Sequence, residues 1–191
     1  MVAYIGIKIC SPGPVLFKAK RVGKDGEVFS CFKFRTMRVD SGKVKLTTLT
    51  NDDRIFPFGS FMRKTKIDEF PQIFNILNGT MAVVGPRPED VVNAEKYYVD
   101  KYKRILSVNP GLTSPASLYD YVVGEEYEDE ALYEKEVLPV KLDLEMYYVE
   151  HKSLLYDVKI VVRTFITIVG KILDRSENMI PWECEKVGKE K

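Results

Sequence analysis

Histidine is almost missing from this 191-residue chain: His151 is the only one. A catalytic triad or a histidine-based metal centre needs more than one lone ring beside Lys152, so His151 reads as a surface or capping residue. Cysteine is nearly as scarce. Cys10, Cys31 and Cys184 stand far apart and form no CxxC pair. That argues against a zinc site and a disulfide framework, and it makes the reducing cytosol the default compartment. An excess of either charge is lacking too. The 29 basic and 28 acidic residues leave a formal net charge of +1, without the surplus of a dedicated nucleic-acid binder. No uncharged apolar run reaches roughly 18 residues, so there is no ordinary transmembrane span; nor is a signal peptide evident. The sequence contains neither internal repeats nor low-complexity segments. What is there suits one domain: a moderate length, with 45% hydrophobic residues to fill a core.

Turn signals and periodicity divide the chain. Residues 1–10 are apolar apart from Lys8 and read as an incoming strand or helix end. The turns Ser11-Pro12-Gly13-Pro14 and Lys24-Asp25-Gly26, with β-type runs at 15–17 and 28–34, predict a hairpin. Residues 39–57 are polar and rich in Thr and Asp, as in a mobile loop. Phe70, Ile73, Phe74 and Leu77 fall at i, i+3, i+4 and i+7, which predicts a helix from Asp68 as N-cap to about Leu77, with Gly79 as its stop. Residues 81–84 read as a short buried strand. A helix is expected from about Glu89 to Leu106, broken by Asn109-Pro110-Gly111. The acidic stretch 125–136 reads as a solvated helical face. A long last helix, about 154–173, is compatible with either a core position or a membrane surface. The tail from Arg175 is polar and expected to fray. The fold class predicted is α+β: a small antiparallel sheet or hairpin with surrounding helices, some amphipathic.

Three clusters could carry chemistry. Asp68 and Glu69 are adjacent carboxylates at a predicted helix start, where unpaired N–H groups and the positive dipole end favour negative charge. That placement would keep Asp68 ionised, as a carboxylate nucleophile requires. The pair could also help hold Mg²⁺, which takes oxygen ligands from one or two carboxylates plus substrate phosphates. Arg87 lies between two prolines in Gly85-Pro86-Arg87-Pro88, a rigid turn that presents one guanidinium to a phosphate. Lys33 and Arg35 share a strand face by alternation and could hold a diphosphate, and Arg63-Lys64 adds positive charge just upstream of Asp68.

Taken together and in order, Phe32-Lys33-Phe34-Arg35-Thr36-Met37, then Arg63 through Asp68-Glu69-Phe70-Pro71-Gln72 to Asn75, then Val83-Val84-Gly85-Pro86-Arg87-Pro88 resemble the bacterial sugar transferases, the monotopic phosphoglycosyl transferases. Ser11-Pro12-Gly13-Pro14 with Arg21-Val22-Gly23, Asn109-Pro110-Gly111-Leu112-Thr113, and Lys141-Leu142-Asp143 through Tyr148 to Asp157 extend the resemblance over roughly residues 7–167.

The resemblance implies a catalytic domain at residues 1–175, followed by a polar tail at 176–191. The activity implied is transfer of a sugar 1-phosphate from a UDP-sugar to a polyprenyl phosphate such as undecaprenyl phosphate, with release of UMP and with Mg²⁺ as cofactor. By position, Asp68 is the nucleophile that becomes covalently phosphorylated. Glu69 assists with metal or proton, Arg87 binds phosphate, and Lys33, Arg35 and Arg63 give electrostatic support. Asp143 and Asp157 match acidic positions whose roles are open. The partners implied are the two substrates and the cytoplasmic leaflet of a bacterial inner membrane, with a homodimer admitted. Only about ten residues precede Ser11, so the re-entrant membrane helix usual in such proteins is expected to be missing. That departure supports a rival reading, a shortened paralogue that binds a nucleotide sugar or a partner enzyme without turnover.

Overall fold

The computed structural model describes residues 2–39, 53–173, 175 and 179–187. Helix α1 spans Val2–Cys10. It settles the open choice for the first ten residues in favour of a helix, with Ile7 buried against Phe56 and Met62. The predicted hairpin follows. Strands β1 (Leu16–Val22) and β2 (Val28–Phe34) pair antiparallel, from Leu16 opposite Phe34 to Val22 opposite Val28. The turn between them needs positive φ at Asp25 (56°) and Gly26 (83°), which Asp tolerates and Gly favours.

The predicted loop at 39–57 lies mostly outside the described residues. Its described end forms a β-bridge, Ile55 opposite Met37, before α2 (Pro57–Lys64). The expected helix from Asp68 is different in detail. A 3-10 helix, Ile67–Gln72, comes first and a short α-helix, α3 (Ile73–Leu77), follows. Pro71 lies inside the 3-10 segment, where it cannot donate the backbone bond a continuous α-helix would use. Asp68 is therefore not an N-cap; Lys66, in the left-handed region at φ 55°, occupies that position without a side-chain cap bond.

Strand β3 (Ala82–Val84) pairs in parallel with β4 (Gly111–Thr113), Ala82 opposite Gly111 and Val84 opposite Thr113. Asn109-Pro110 does break the helical stretch, which ends at Ser107, and the strand β4 that starts at Gly111 was not anticipated. Gly85 and Gly111 make this pairing feasible: a Cβ on Gly111 would overlap the Gly85 nitrogen and lie 2.6 Å from its Cα. The helix predicted over 89–106 is divided. Helix α4 (Val91–Tyr97) is capped by Asp90, whose side chain accepts from the Val92 N–H. Extended Val99 and left-handed Asp100 (φ 48°) then turn the chain into a 3-10 helix, Asp100–Ser107.

Helix α5 (Pro115–Val122) and helix α7 (Leu138–His151) were not anticipated; α6 (Glu130–Glu136) is the expected acidic, unburied helix. Helix α8 (Leu154–Ile172) is the long last helix. It buries Tyr156, Ile160, Thr167 and Gly170 and exposes Leu154, Leu155, Val158, Val162, Phe165 and Ile166. One face is core and the other is bare. Among the described residues no helix is long and apolar enough to cross a membrane. The chain ends its described course in α9 (Cys184–Val187), with Val187 packed beside Ala116 and Leu144. The architecture is α+β, with two small two-stranded sheets among helices.

Candidate active site

Asn75 brings the acid pair to the hairpin. It is buried, its Oδ1 accepts from the Phe32 N–H at 3.0 Å, and its Nδ2 donates to the Ser30 carbonyl at 2.8 Å. A buried amide with both ends satisfied fixes register, so the segment that carries Asp68 and Glu69 lies along β2. Lys33 there donates to Glu69 Oε1 at 3.1 Å. The Arg87 guanidinium approaches the same oxygen at 3.7 Å. Three segments distant in sequence thus meet at one carboxylate: β2, the 3-10 helix, and the turn after β3.

The two acids differ electrostatically although they are neighbours. Asp68 is 7% and Glu69 9% exposed. Burial pushes Glu69 up, but Lys33, Arg87 and Lys66 outweigh it and hold the carboxyl at about 2. For Asp68, burial and then the Glu69 charge push it up, against Lys33, Lys66 and Arg63, and it stays above the ordinary value of 3.8. The residue lies inside a 3-10 segment and not at an α-helix start, and a desolvated carboxylate beside another is pushed up. Asp68 Oδ1 is buried without a hydrogen-bond partner. An unsatisfied carboxylate oxygen between cations suits one of the oxygen positions of a Mg²⁺ ion, whose remaining ligands would come from phosphates and water. No group of three or more His, Cys, Asp or Glu that could hold a metal by itself occurs among the described residues.

The other predicted site residues fall in two groups. Arg63 lies near the pair: it acts electrostatically on Asp68 and donates from Nε to Thr36 Oγ1 at 2.9 Å. Arg35 is elsewhere. Its guanidinium donates to Ser11 Oγ and the carbonyls of Ser11, Pro12, Pro14 and Met37, at 2.6 to 3.2 Å. All its donors are spent on the Ser11–Pro14 turn and Met37, which leaves none for a diphosphate; the strand ends at Phe34, so alternation no longer aligns Arg35 with Lys33. Asp143 accepts from Lys101 at 3.0 Å and Tyr102 at 2.7 Å, and joins α7 to the second 3-10 helix. Asp157 accepts from the Tyr148 hydroxyl at 2.9 Å. Neither acid is paired with Asp68 or Glu69.

The sequence reading missed Lys66, whose charge favours the ionised form of both acids although Asp68 stays raised overall, and the buried polar residues behind Arg87. Lys141 lies 3.4 Å from Glu89 Oε2, and Glu145 is almost fully buried. A signal for the last two existed. Leu138, Lys141, Leu142, Glu145 and Tyr148 repeat at helical spacing, and two charges in such a stripe mark a buried polar network.

An arginine on a rigid turn, a lysine on a strand, one neutralised carboxylate and one with an open oxygen thus share one cluster, and fixed cations of this kind are what phosphate groups pair with. The chain belongs to the bacterial sugar transferase family, whose sequence profile matches residues 1–171. It is 38% identical over 171 residues to a UDP-glucose:undecaprenyl-phosphate glucose-1-phosphate transferase of Xanthomonas campestris pv. campestris, covering 87% of this chain and 34% of that protein. It is 39% identical over 175 residues to a protein of the same description from Escherichia coli (strain K12), covering 90% of this chain and 36% of that one. A putative undecaprenyl-phosphate N-acetylgalactosaminyl 1-phosphate transferase of Bacillus subtilis (strain 168) is 43% identical over 100 residues, 51% of this chain and 56% of that one. The chain spans about a third of the length of the first two relatives.

Proposed function

We propose that this chain transfers a sugar 1-phosphate from a UDP-sugar to a polyprenyl phosphate, with Asp68 as the nucleophile. The observation that carries the proposal is the unequal acid pair. Glu69 is locked by Lys33 and Arg87, whereas Asp68 keeps an unpartnered oxygen. In the first step an Asp68 oxygen bonds to the sugar-side phosphorus, the bond from that phosphorus to the bridging oxygen breaks, and UMP leaves with the electron pair. In the second, a phosphate oxygen of the lipid attacks the same phosphorus; the Asp68 ester opens, and a polyprenyl diphosphate sugar results. Two phosphate anions approach each other poorly, and a covalent carboxyl phosphate divides the difficulty into two displacements at one site.

Arg87 and Lys33 supply fixed positive charge beside the reacting phosphoryl oxygens. Lys66 and Arg63 favour the ionised form of Asp68 that attack requires. Asp68, assisted by Glu69, would hold Mg²⁺, which when bound neutralises phosphate charge and offsets the desolvation of Asp68. The bare apolar residues of α3 and α8 would rest on the cytoplasmic leaflet, where a lipid phosphate is presented. The relatives' names cover glucose and N-acetylgalactosamine, and a relative from Streptococcus agalactiae is named a galactosyl transferase, so the donor panel to test holds all three.

The test is UMP release from UDP-glucose, UDP-galactose and UDP-N-acetylgalactosamine with Mg²⁺, with and without undecaprenyl phosphate in detergent. Lipid-dependent release is expected with at least one donor, and Asp68→Asn is expected to lower it by about a thousandfold or more, as loss of a nucleophile does. Sugar phosphate released without lipid would identify a hydrolase. No release from any donor would favour a binding protein without turnover.

A further inference from the structure

Two prolines stiffen the backbone around Arg87, but the turn is held by more than its own sequence. The Arg87 N–H donates to Glu145 Oε1 at 2.9 Å. The Arg87 carbonyl faces the Tyr98 hydroxyl at 3.5 Å. One residue earlier, the Gly111 N–H donates to the Pro86 carbonyl at 2.8 Å, and the Gly85 N–H donates to Thr113 at 3.0 Å. Peptide groups on both sides of Arg87 are therefore engaged by elements remote in sequence. Glu145 is the most remote: it stands on α7, 58 residues further along. The same Oε1 lies 3.4 Å from Ser114 Oγ, which caps α5 by accepting from the Ser117 N–H.

Glu145 is an unfavourable residue to bury for stability alone. It is 1% exposed, and its second oxygen has no hydrogen-bond partner. A buried carboxyl with an unsatisfied oxygen is destabilising, and an apolar side chain of similar volume would serve packing better. What Glu145 provides is a hydrogen bond that sets the peptide from which the Arg87 side chain departs.

We propose that Glu145 is a positioning residue for phosphoryl transfer: by holding the Arg87 peptide it aims the guanidinium at the acid pair, without touching substrate itself. This rests on the transferase reading above. Burial pushes the Glu145 carboxyl up to about 8, against the Arg87 N–H bond, Lys141, Ser114 and the Arg87 charge. The group is thus largely neutral near pH 7, and glutamine is its close mimic. An error of about 1 Å at a phosphate-binding group can lower a rate about a hundredfold.

The experiment is a double-mutant cycle read by UMP exchange into UDP-sugar, the half-reaction that needs no lipid. Glu145→Leu is expected to lower kcat/KM by about 10- to 100-fold with Arg87 present, and by less than about twofold in an Arg87→Ala background, since the aim of an absent guanidinium cannot matter. Glu145→Gln, which can accept the same N–H bond, is expected to recover most of the rate. Hydrogen exchange of the Arg87 amide, followed by NMR, reads the clamp without turnover. Protection should persist in Glu145→Gln and fall in Glu145→Leu. Equal losses in both backgrounds, or a normal rate in Glu145→Leu once the amide is unprotected, overturn the proposal. If the unaltered chain supports no exchange with any donor although its Arg87 amide is protected, the transferase reading fails and the positioning role fails with it.

Discussion

Adjacent residues of like chemistry have been given opposite conditions here. Asp68 and Glu69 differ in position by one residue, yet Lys33 and Arg87 both reach Glu69 Oε1 while Asp68 Oδ1 is left without a hydrogen-bond partner. Motif reading identified the pair and Arg87, but it assigned Asp68 a capping role that a proline-containing 3-10 segment does not offer. It also grouped Arg35 with Lys33, although Arg35 staples the Ser11–Pro14 turn. Glu145 yields a prediction at this scale. Its carboxyl ordinarily titrates at 4.5 and in the fold at about 8, raised by burial against Arg87 and Lys141, with Tyr98 and Tyr148 also near. The folded chain keeps a proton that the unfolded chain releases between those values. Its contribution to stability is therefore complete below pH 4.5 and is lost as pH rises through 8. Glu145→Gln is expected to flatten the fall in urea-unfolding stability between pH 5 and 8.5; an unaltered slope would show that other groups set it.

Periodicity located elements without saying which way they face. The stripe of Phe70, Ile73, Phe74 and Leu77 is real, but it points outward, with Phe74 61% and Leu77 77% exposed. The core side of this segment is supplied instead by Asn75, Gln72 and Pro71. Helix α8 likewise carries two apolar faces, only one of them buried. Clustered exposed apolar side chains on a helix face mark an interaction surface. For the lipid-surface reading, Phe74→Asp is expected to reduce co-sedimentation with phospholipid vesicles severalfold while changing unfolding stability by less than about 0.5 kcal/mol, as exposed substitutions do. Equal sedimentation of both proteins would remove α3 from the membrane contact. The divided helix at Asp100 and the strand at Gly111–Thr113 were illegible for a different reason: a residue in the left-handed region and a parallel pairing partner both depend on what the rest of the chain supplies.

The whole molecule closes through a segment that lies beyond the family match. The tail was read as polar and frayed, yet residues 179–187 dock on α5, α7 and α8. Glu183 is fully buried; it accepts from Arg163 at 2.6 Å and from the Tyr156 hydroxyl at 2.8 Å, and Tyr147 stacks edge-on to Trp182. Breaking a buried ion pair leaves an uncompensated charge, so Glu183→Gln should destabilise the chain by about 3 kcal/mol, measured by urea unfolding; a change under about 0.5 kcal/mol would show the segment to be loosely held. Local sequence was enough to determine the hairpin, the last long helix and the proline-restricted backbone at Arg87, because turn chemistry, periodicity and proline geometry act over a few residues. Only the tertiary structure decided which carboxylate is neutralised, which arginine is a staple, which helix faces are bare, and that Glu145 reaches the Arg87 peptide. Those outcomes depend on burial and on partners tens of residues away, and no local pattern encodes them.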